Sequence, residues 1–205
     1  MSSVPQTARP GASIRDLPLD ELRGIYAMWC VIATEGSLFV CLFCAYFYLG
    51  NGKQRWADNN PPGMTYPWIM LAVMLFSAFI LRWGEGQVKR QRYAAGRVAL
   101  LFTILFGLGF IALQYFSYRS QLQTLAPDSN SYGSIFYAIS GLHVAHVVVG
   151  IFLLAYALVL PRYAPARESP FRPYQTVALY WYFVNFLWIG VFIVMYAIPN
   201  LIVHG

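Results

Sequence analysis

Three groups of residues in this chain could do chemistry, and each lies inside an apolar run. Glu35 is the only acid in MWCVIATEGSLFVCLFCAYF, residues 28–47. His143 and His146 fall in SGLHVAHVVVG, and Cys30, Cys41 and Cys44 share the stretch that holds Glu35. An acid in an apolar span is a functional candidate by default, here as a proton or gating site. The opposing reading is a neutral acid that hydrogen-bonds two helices together, since desolvation favours the uncharged form. The two histidines, at i and i+3, sit on one side of a helix, so a single helix cannot hold a haem between them. A copper or zinc ion would need a third ligand. Glu35 is the intramembrane candidate for it, because the remaining histidine, His204, is at the far end of the chain. Polar packing within the bundle, with Glu35 as partner, is favoured over metal binding. Cys41 and Cys44 form a C-x-x-C with no second pair, which reads as small packing residues rather than a zinc or redox motif.

These residues need elements to position them, and the composition says which. Of 205 residues, 59% are hydrophobic and 11% charged, too little charge to cover a soluble domain of this length. The apolar residues come in long runs, which predict five membrane helices at about Gly24–Leu49, Tyr66–Trp83, Val98–Tyr118, Gly133–Leu160 and Tyr174–Ile198. Each is long enough to span hydrocarbon. The expected fold is an all-α integral membrane protein, a five-transmembrane-helix bundle over residues 24–205. Residues 1–23 are expected as a cytoplasmic tail, mobile or carrying a short amphipathic stretch at Ile14–Ile25. They lack the apolar core of a signal peptide, so the first span is expected to be retained.

The short connections at 50–65, 84–97, 120–132 and 161–173 leave no room for a cofactor domain. Pro61-Pro62-Gly63 and Pro161, Pro165, Pro170 and Pro173 mark turns where helices stop. An odd number of spans without internal repeats argues against a small proton-linked transporter centred on Glu35. Along the fourth span recur Gly133, Ser134, Ala138, Gly141, Ala145 and Gly150, with Gly107 and Gly109 in the third. Small residues of this kind let helices approach closely. The aromatic clusters at Thr65–Trp68 and Leu179–Phe183 are expected to anchor at the interface or pack on a partner.

Taken together, the segments from Tyr26 to Tyr196 resemble subunit III of the haem–copper terminal oxidases. The first span carries Met28-Trp29, Ala33-Thr34-Glu35 and Phe43-x-x-Tyr46-Phe47. Glu35 stands where that family has its intramembrane glutamate. Gly133-Ser134-x-Phe136 followed by Gly141-x-His143-x-x-His146-Val147-x-x-Gly150 is similar to the family's signature helix. The last span, Ala178-x-Tyr180-Trp181-x-Phe183-Val184-x-x-x-Trp188, is similar to its closing pattern, and Gly96-Arg97, Gly107 and Gln114 add to the likeness. Val144-Ala145, Tyr182, Asn185 and Ser117 depart from the pattern, the last three at positions where the family has ionisable residues. The five-span length resembles the family's short form.

The resemblance implies a non-catalytic subunit of a proton-pumping oxidase in a bacterial inner membrane. Such a subunit docks beside catalytic subunit I, holds phospholipid, and supports oxygen access and proton uptake. It implies haem and copper in partner subunits, with none in this chain and no nucleic acid. A subunit III-like partner of a nitric oxide reductase is the related alternative. The residues to watch are then Glu35, His143 and His146 as a polar network, and Trp29, Gly141, Gly150, Trp181 and Trp188 as a packing motif.

Charge sets the expected orientation. Eleven of the cationic residues fall on the N-terminal side of the spans, Arg9 through Arg172, and only Lys53, Arg55 and Arg119 on the other. The positive-inside bias puts the N-terminus in the cytoplasm and the C-terminus outside. A topology reporter fused at Gly205 should be active only outside the cytoplasm; cytoplasmic activity alone would reverse the assignment.

Overall fold

The computed structural model describes residues 19–51, 63–122, 131–159 and 171–204. It is helical throughout, with α1 Leu19–Gly50, α2 Thr65–Lys89, α3 Tyr93–Gln121, α4 Ser131–Val159 and α5 Phe171–Phe192. A π turn, Ile193–Ala197, leads from α5 into a last segment, α6 Ile198–His204. Five stretches are long and apolar enough to cross a membrane: Gly24–Gly50, Thr65–Lys89, Tyr93–Gln121, Ser131–Val159 and Pro173–Leu201. The spans read from sequence thus recur with their order intact. Most of the expected N-terminal tail, and the expected prolines at 61, 62, 161, 165 and 170, lie outside the described residues. Residues 19–23, assigned to that tail, are part of α1.

The fifth span is central and the first peripheral: 56% of the apolar window of one is buried, against 11% of the other. α2 and α3 form a tight antiparallel hairpin, α5 packs on α1, α2 and α4, and α3 packs on α4. Fully buried aromatic and aliphatic side chains fill the centre, among them Phe110, Phe136, Trp181, Trp188 and Tyr196.

The α2–α3 connection corrects the expected loop at 84–97. Helix α2 runs on to Lys89 and α3 begins at Tyr93, so the turn is Arg90-Gln91-Arg92. Hydropathy falls at Gly84, but Arg82, Glu85 and Lys89 stand at i, i+3 and i+7 with oppositely charged neighbours, which supports continued helix. Gly84 and Gly96 let the two helices close: a Cβ on Gly84 would strike Ala99 and the Tyr174 hydroxyl, and one on Gly96 would strike Val88.

The π turn has a local cause. Pro199 has no N–H to give the Met195 carbonyl four residues back, and its ring crowds that carbonyl. The Met195 oxygen accepts from the Tyr132 hydroxyl of α4 at 3.5 Å. Asn200 caps the next carbonyl, its Nδ2 donating to Tyr196 O at 2.9 Å.

The α2 C-terminus is a Schellman ending, with Arg92 N–H donating to Gln87 O and Gln91 N–H to Val88 O, both at 2.9 Å. The residue that must adopt the left-handed conformation is Gln91, at φ 61°, where glycine is the usual occupant. Gln91→Gly should therefore stabilise the chain by about 0.5–1 kcal/mol, the left-handed penalty less glycine's entropy cost. A raised thermal unfolding midpoint in detergent would show it; a lowered one would contradict the strain assigned to this turn.

Candidate functional site

Helix α1 meets the bundle along α4 and α5, and a cleft opens where the three come together. On α1 it is lined by Met28, Val31 and Glu35, residues at i, i+3 and i+7 on one face. On α4 it is lined by Ala145, His146, Val149 and Leu153, and on α5 by Tyr180. The volume is about 420 Å³. Its walls are apolar except at one point.

That point is the contact between Glu35 Oε2 and His146 Nε2, 3.0 Å apart. The other ring nitrogen of His146 fixes the proton inventory. Nδ1 lies 2.8 Å from Leu142 O, and a carbonyl can only accept, so Nδ1 carries a hydrogen. Nε2 and Oε2 then share a single proton, either as an acid donating to neutral imidazole or as a carboxylate accepting from imidazolium. The ring is held edge-on by Phe39, with centroids 5.3 Å apart. His146 is nearly enclosed at 9% side-chain exposure, whereas Glu35 keeps 36%. Glu35 sits at the wall of an open cleft because α1 covers only one edge of the bundle.

His143 does not join this pair. Its Nε2–H donates to Val184 O on α5 at 3.2 Å. The ring lies between Phe110, which meets it edge-on, and Trp188, which is tilted against it, with centroids 5.4 and 5.0 Å away. Three residues advance a helix by about 300°, leaving the histidines roughly 60° apart. On a helix wedged between neighbours that offset sends His146 towards α1 and His143 towards α3 and α5. His143 thus carries a hydrogen on Nε2, and His146 one on Nδ1.

The packing residues divide in the same way. Trp181 and Trp188 are fully enclosed. A Cβ on Gly150 would come within 2.8 Å of the Trp181 ring, and one on Gly107 within 2.9 Å of its far edge. Gly141 and Gly109 meet nothing within 4 Å, and Trp29 is 54% exposed on the outer face of α1. These three stand apart from any close helix contact. The cluster at Leu179–Phe183, expected to anchor at the interface or pack on a partner, supplies Tyr180 and Trp181, both buried within this chain. Cys30, Cys41 and Cys44 are free and exposed on α1, so they do not pack against the other helices of this chain.

The sequence reading passed over a second acid. Glu85 is 4% exposed at the end of α2. Its Oε2 accepts from Arg82 at 2.8 Å and from the Tyr182 hydroxyl of α5 at 3.5 Å, while its Oε1 lies 3.6 Å from Lys89. The signal was present in the sequence, as cations at i−3 and i+4, but it fell in a segment assigned to a loop.

Among the described residues, no three His, Cys, Asp or Glu side chains converge on a point where a metal ion could sit. His143 has a carbonyl and two aromatic rings about it, and His146 a carbonyl and one carboxyl. The donor set is that of paired hydrogen bonds.

Comparison with known proteins follows the same outline. The family described as cytochrome c oxidase subunit III matches residues 22–199. A probable cytochrome c oxidase subunit 3 of Mycobacterium tuberculosis is 30% identical over 176 residues, covering 82% of this chain and 84% of the relative. The Corynebacterium diphtheriae cytochrome c oxidase subunit 3 is 29% identical over 175 residues, with 82% and 84% covered. That of Drosophila yakuba is 27% identical over 179 residues, covering 83% of this chain and 68% of the longer relative. Glu35, His146 and Trp181 fall within the match, and the five long apolar helices fit the short bacterial form: the chain belongs to the cytochrome c oxidase subunit III family.

Proposed function

We propose that this chain is the non-catalytic third subunit of a proton-pumping bacterial terminal oxidase. In this reading it docks beside the haem- and copper-bearing catalytic subunit and supports oxygen access, proton uptake and endurance in turnover. The family match over residues 22–199 carries the reading. Phospholipid is held in two ways: acyl chains along the apolar cleft, and anionic headgroups near the arginines assigned to the cytoplasmic side. The N-terminus faces the cytoplasm.

Within this role Glu35 is a neutral acid whose O–H donates to His146 Nε2. An ion pair in a cleft open to hydrocarbon would lose more hydration than it regains in attraction. The bond ties α1, the least buried helix, to α4 at a depth where lipid offers no competing partner.

Two experiments test these statements. Purification through a tag on this chain should yield a complex with large subunits, haem absorption and oxygen consumption. A lipid-free monomer, with an oxidase fully durable in its absence, would overturn the role. For the acid, Glu35→Gln keeps shape and a donor and should leave assembly and initial turnover nearly intact. Glu35→Ala removes a hydrogen bond worth about 1 kcal/mol and should hasten loss of activity during turnover. Glu35→Lys should impair assembly. Infrared spectra should contain a protonated-carboxyl band that is lost in Glu35→Gln. Its absence, with Glu35→Gln blocking oxygen reduction from the first turnover, would make Glu35 an obligatory proton carrier instead.

A further inference from the structure

On the far side of α4 from the Glu35 cleft, a second polar group of side chains is enclosed between α3, α4 and α5. Gln114 on α3 is 1% exposed and Tyr196 on the π turn fully buried. The Gln114 side chain lies beside the Tyr118 and Tyr196 hydroxyls, and Tyr137 borders both tyrosines. Yet neither end of the Gln114 amide, nor the hydroxyl of Tyr137 or of Tyr196, makes a well-formed hydrogen bond to a protein group. Gln121 of α3 also lies beside the Tyr196 hydroxyl, its Nε2 donating to Ser117 Oγ at 3.0 Å. Tyr118 O–H donates to Ser140 Oγ at 2.8 Å, and Ser140 O–H donates to Phe136 O at 2.6 Å. The Tyr118 and Tyr137 rings lie 5.1 Å apart, and those of Phe136 and Tyr196 5.6 Å apart.

The helices in question are membrane spans, so bulk water does not reach these atoms from the side. A buried amide and two hydroxyls left without partners would each cost their desolvation, and lipid returns none of it. Polar side chains are retained at such positions when something satisfies them. The Tyr118 hydroxyl, already donating, still has lone pairs to accept with. Gln114 offers two donors and a carbonyl, and Tyr137 and Tyr196 offer a donor and an acceptor each. Two to four polar partners converging from three helices, close but not bonded, is the arrangement that a bridging water fills.

We propose that the α3–α4–α5 seam binds internal water, a small cluster bridging the Gln114 amide to the Tyr137 and Tyr196 hydroxyls, with Tyr118 as acceptor. The π turn is part of the site. By adding a residue to the helical turn, it alters the facing of Tyr196 relative to Trp188, two turns earlier, and keeps its hydroxyl in the seam. The site is separate from the Glu35–His146 cleft, and its test does not depend on the role proposed for that cleft.

The test uses the intact complex, imaged by electron microscopy at a resolution that shows ordered water, together with Gln114→Leu and Tyr196→Phe. Density within hydrogen-bond distance of both Gln114 and Tyr196 is expected. Gln114→Leu should remove that density and lower the unfolding midpoint by about 2–5 °C, because it strands the tyrosine hydroxyls. Adding Tyr196→Phe should then cost less than it does alone. The proposal is overturned if Gln114 bonds directly to the tyrosines with no water density. It is equally overturned if Gln114→Leu is as stable as the parent or more so, which would mean a dry seam.

Discussion

The indole of Trp181 is the contact on which the bundle depends. In lipid, helices gain nothing from hiding apolar surface from one another, because hydrocarbon is as good a solvent as leucine. Association has to come from close fit and from polar bonds that lipid cannot supply. Trp181 provides both. Its ring has glycine on two sides, Gly107 of α3 and Gly150 of α4, and its Nε1–H donates to Ser77 Oγ of α2 at 3.0 Å. One side chain of α5 thus touches three other helices. The burial of α5 and the small residues opposite it are consequences of this single insertion.

Helix α1 lies outside that arrangement and is held differently. Its contacts include rings against glycine and ring against ring: Phe43 beside Gly190, Phe183 beside Gly36, and Tyr46 with Tyr132 at a centroid distance of 6.1 Å. The Glu35–His146 bond is a polar tie from its middle to α4. A helix fastened along one edge leaves a gap on the other, so the cleft and the half-exposed acid have one origin. An acid in the tightly packed α2–α3 hairpin would have no such gap beside it.

The sequence made the spans legible because hydropathy and length decide whether a segment can enter lipid, and both are local properties. It also singled out Glu35 and the histidines, since charge inside an apolar run has a visible cost. It did not disclose that the histidines part company. That depends on which neighbours wedge α4 from either side, a tertiary fact. Gly150 and Gly141 look alike in sequence, and only the position of Trp181 separates a close approach from an idle glycine. Glu85 was hidden by its position. Where hydropathy falls, a helix end and a helix continued by ion pairs look the same unless the i, i+3 and i+4 spacings are weighed as well.

The departures from the family pattern acquire a common account in three dimensions. Ser117 accepts from Gln121 Nε2 at 3.0 Å, Asn185 donates to Trp181 O at 2.8 Å, and Tyr182 reaches Glu85. Each of these three side chains thus takes part in a hydrogen bond whose donor needs no charge to make it. The acid that Tyr182 meets sits with Arg82 and Lys89 at a helix end, where headgroups and water can share the charge. Ionisable groups are cheap there and costly at mid-span, by several kcal/mol for an unpaired charge. Glu85 stands at that end with its cations, whereas the acid–histidine pair stands within the spans, where α1 and α4 share its hydrogen bond.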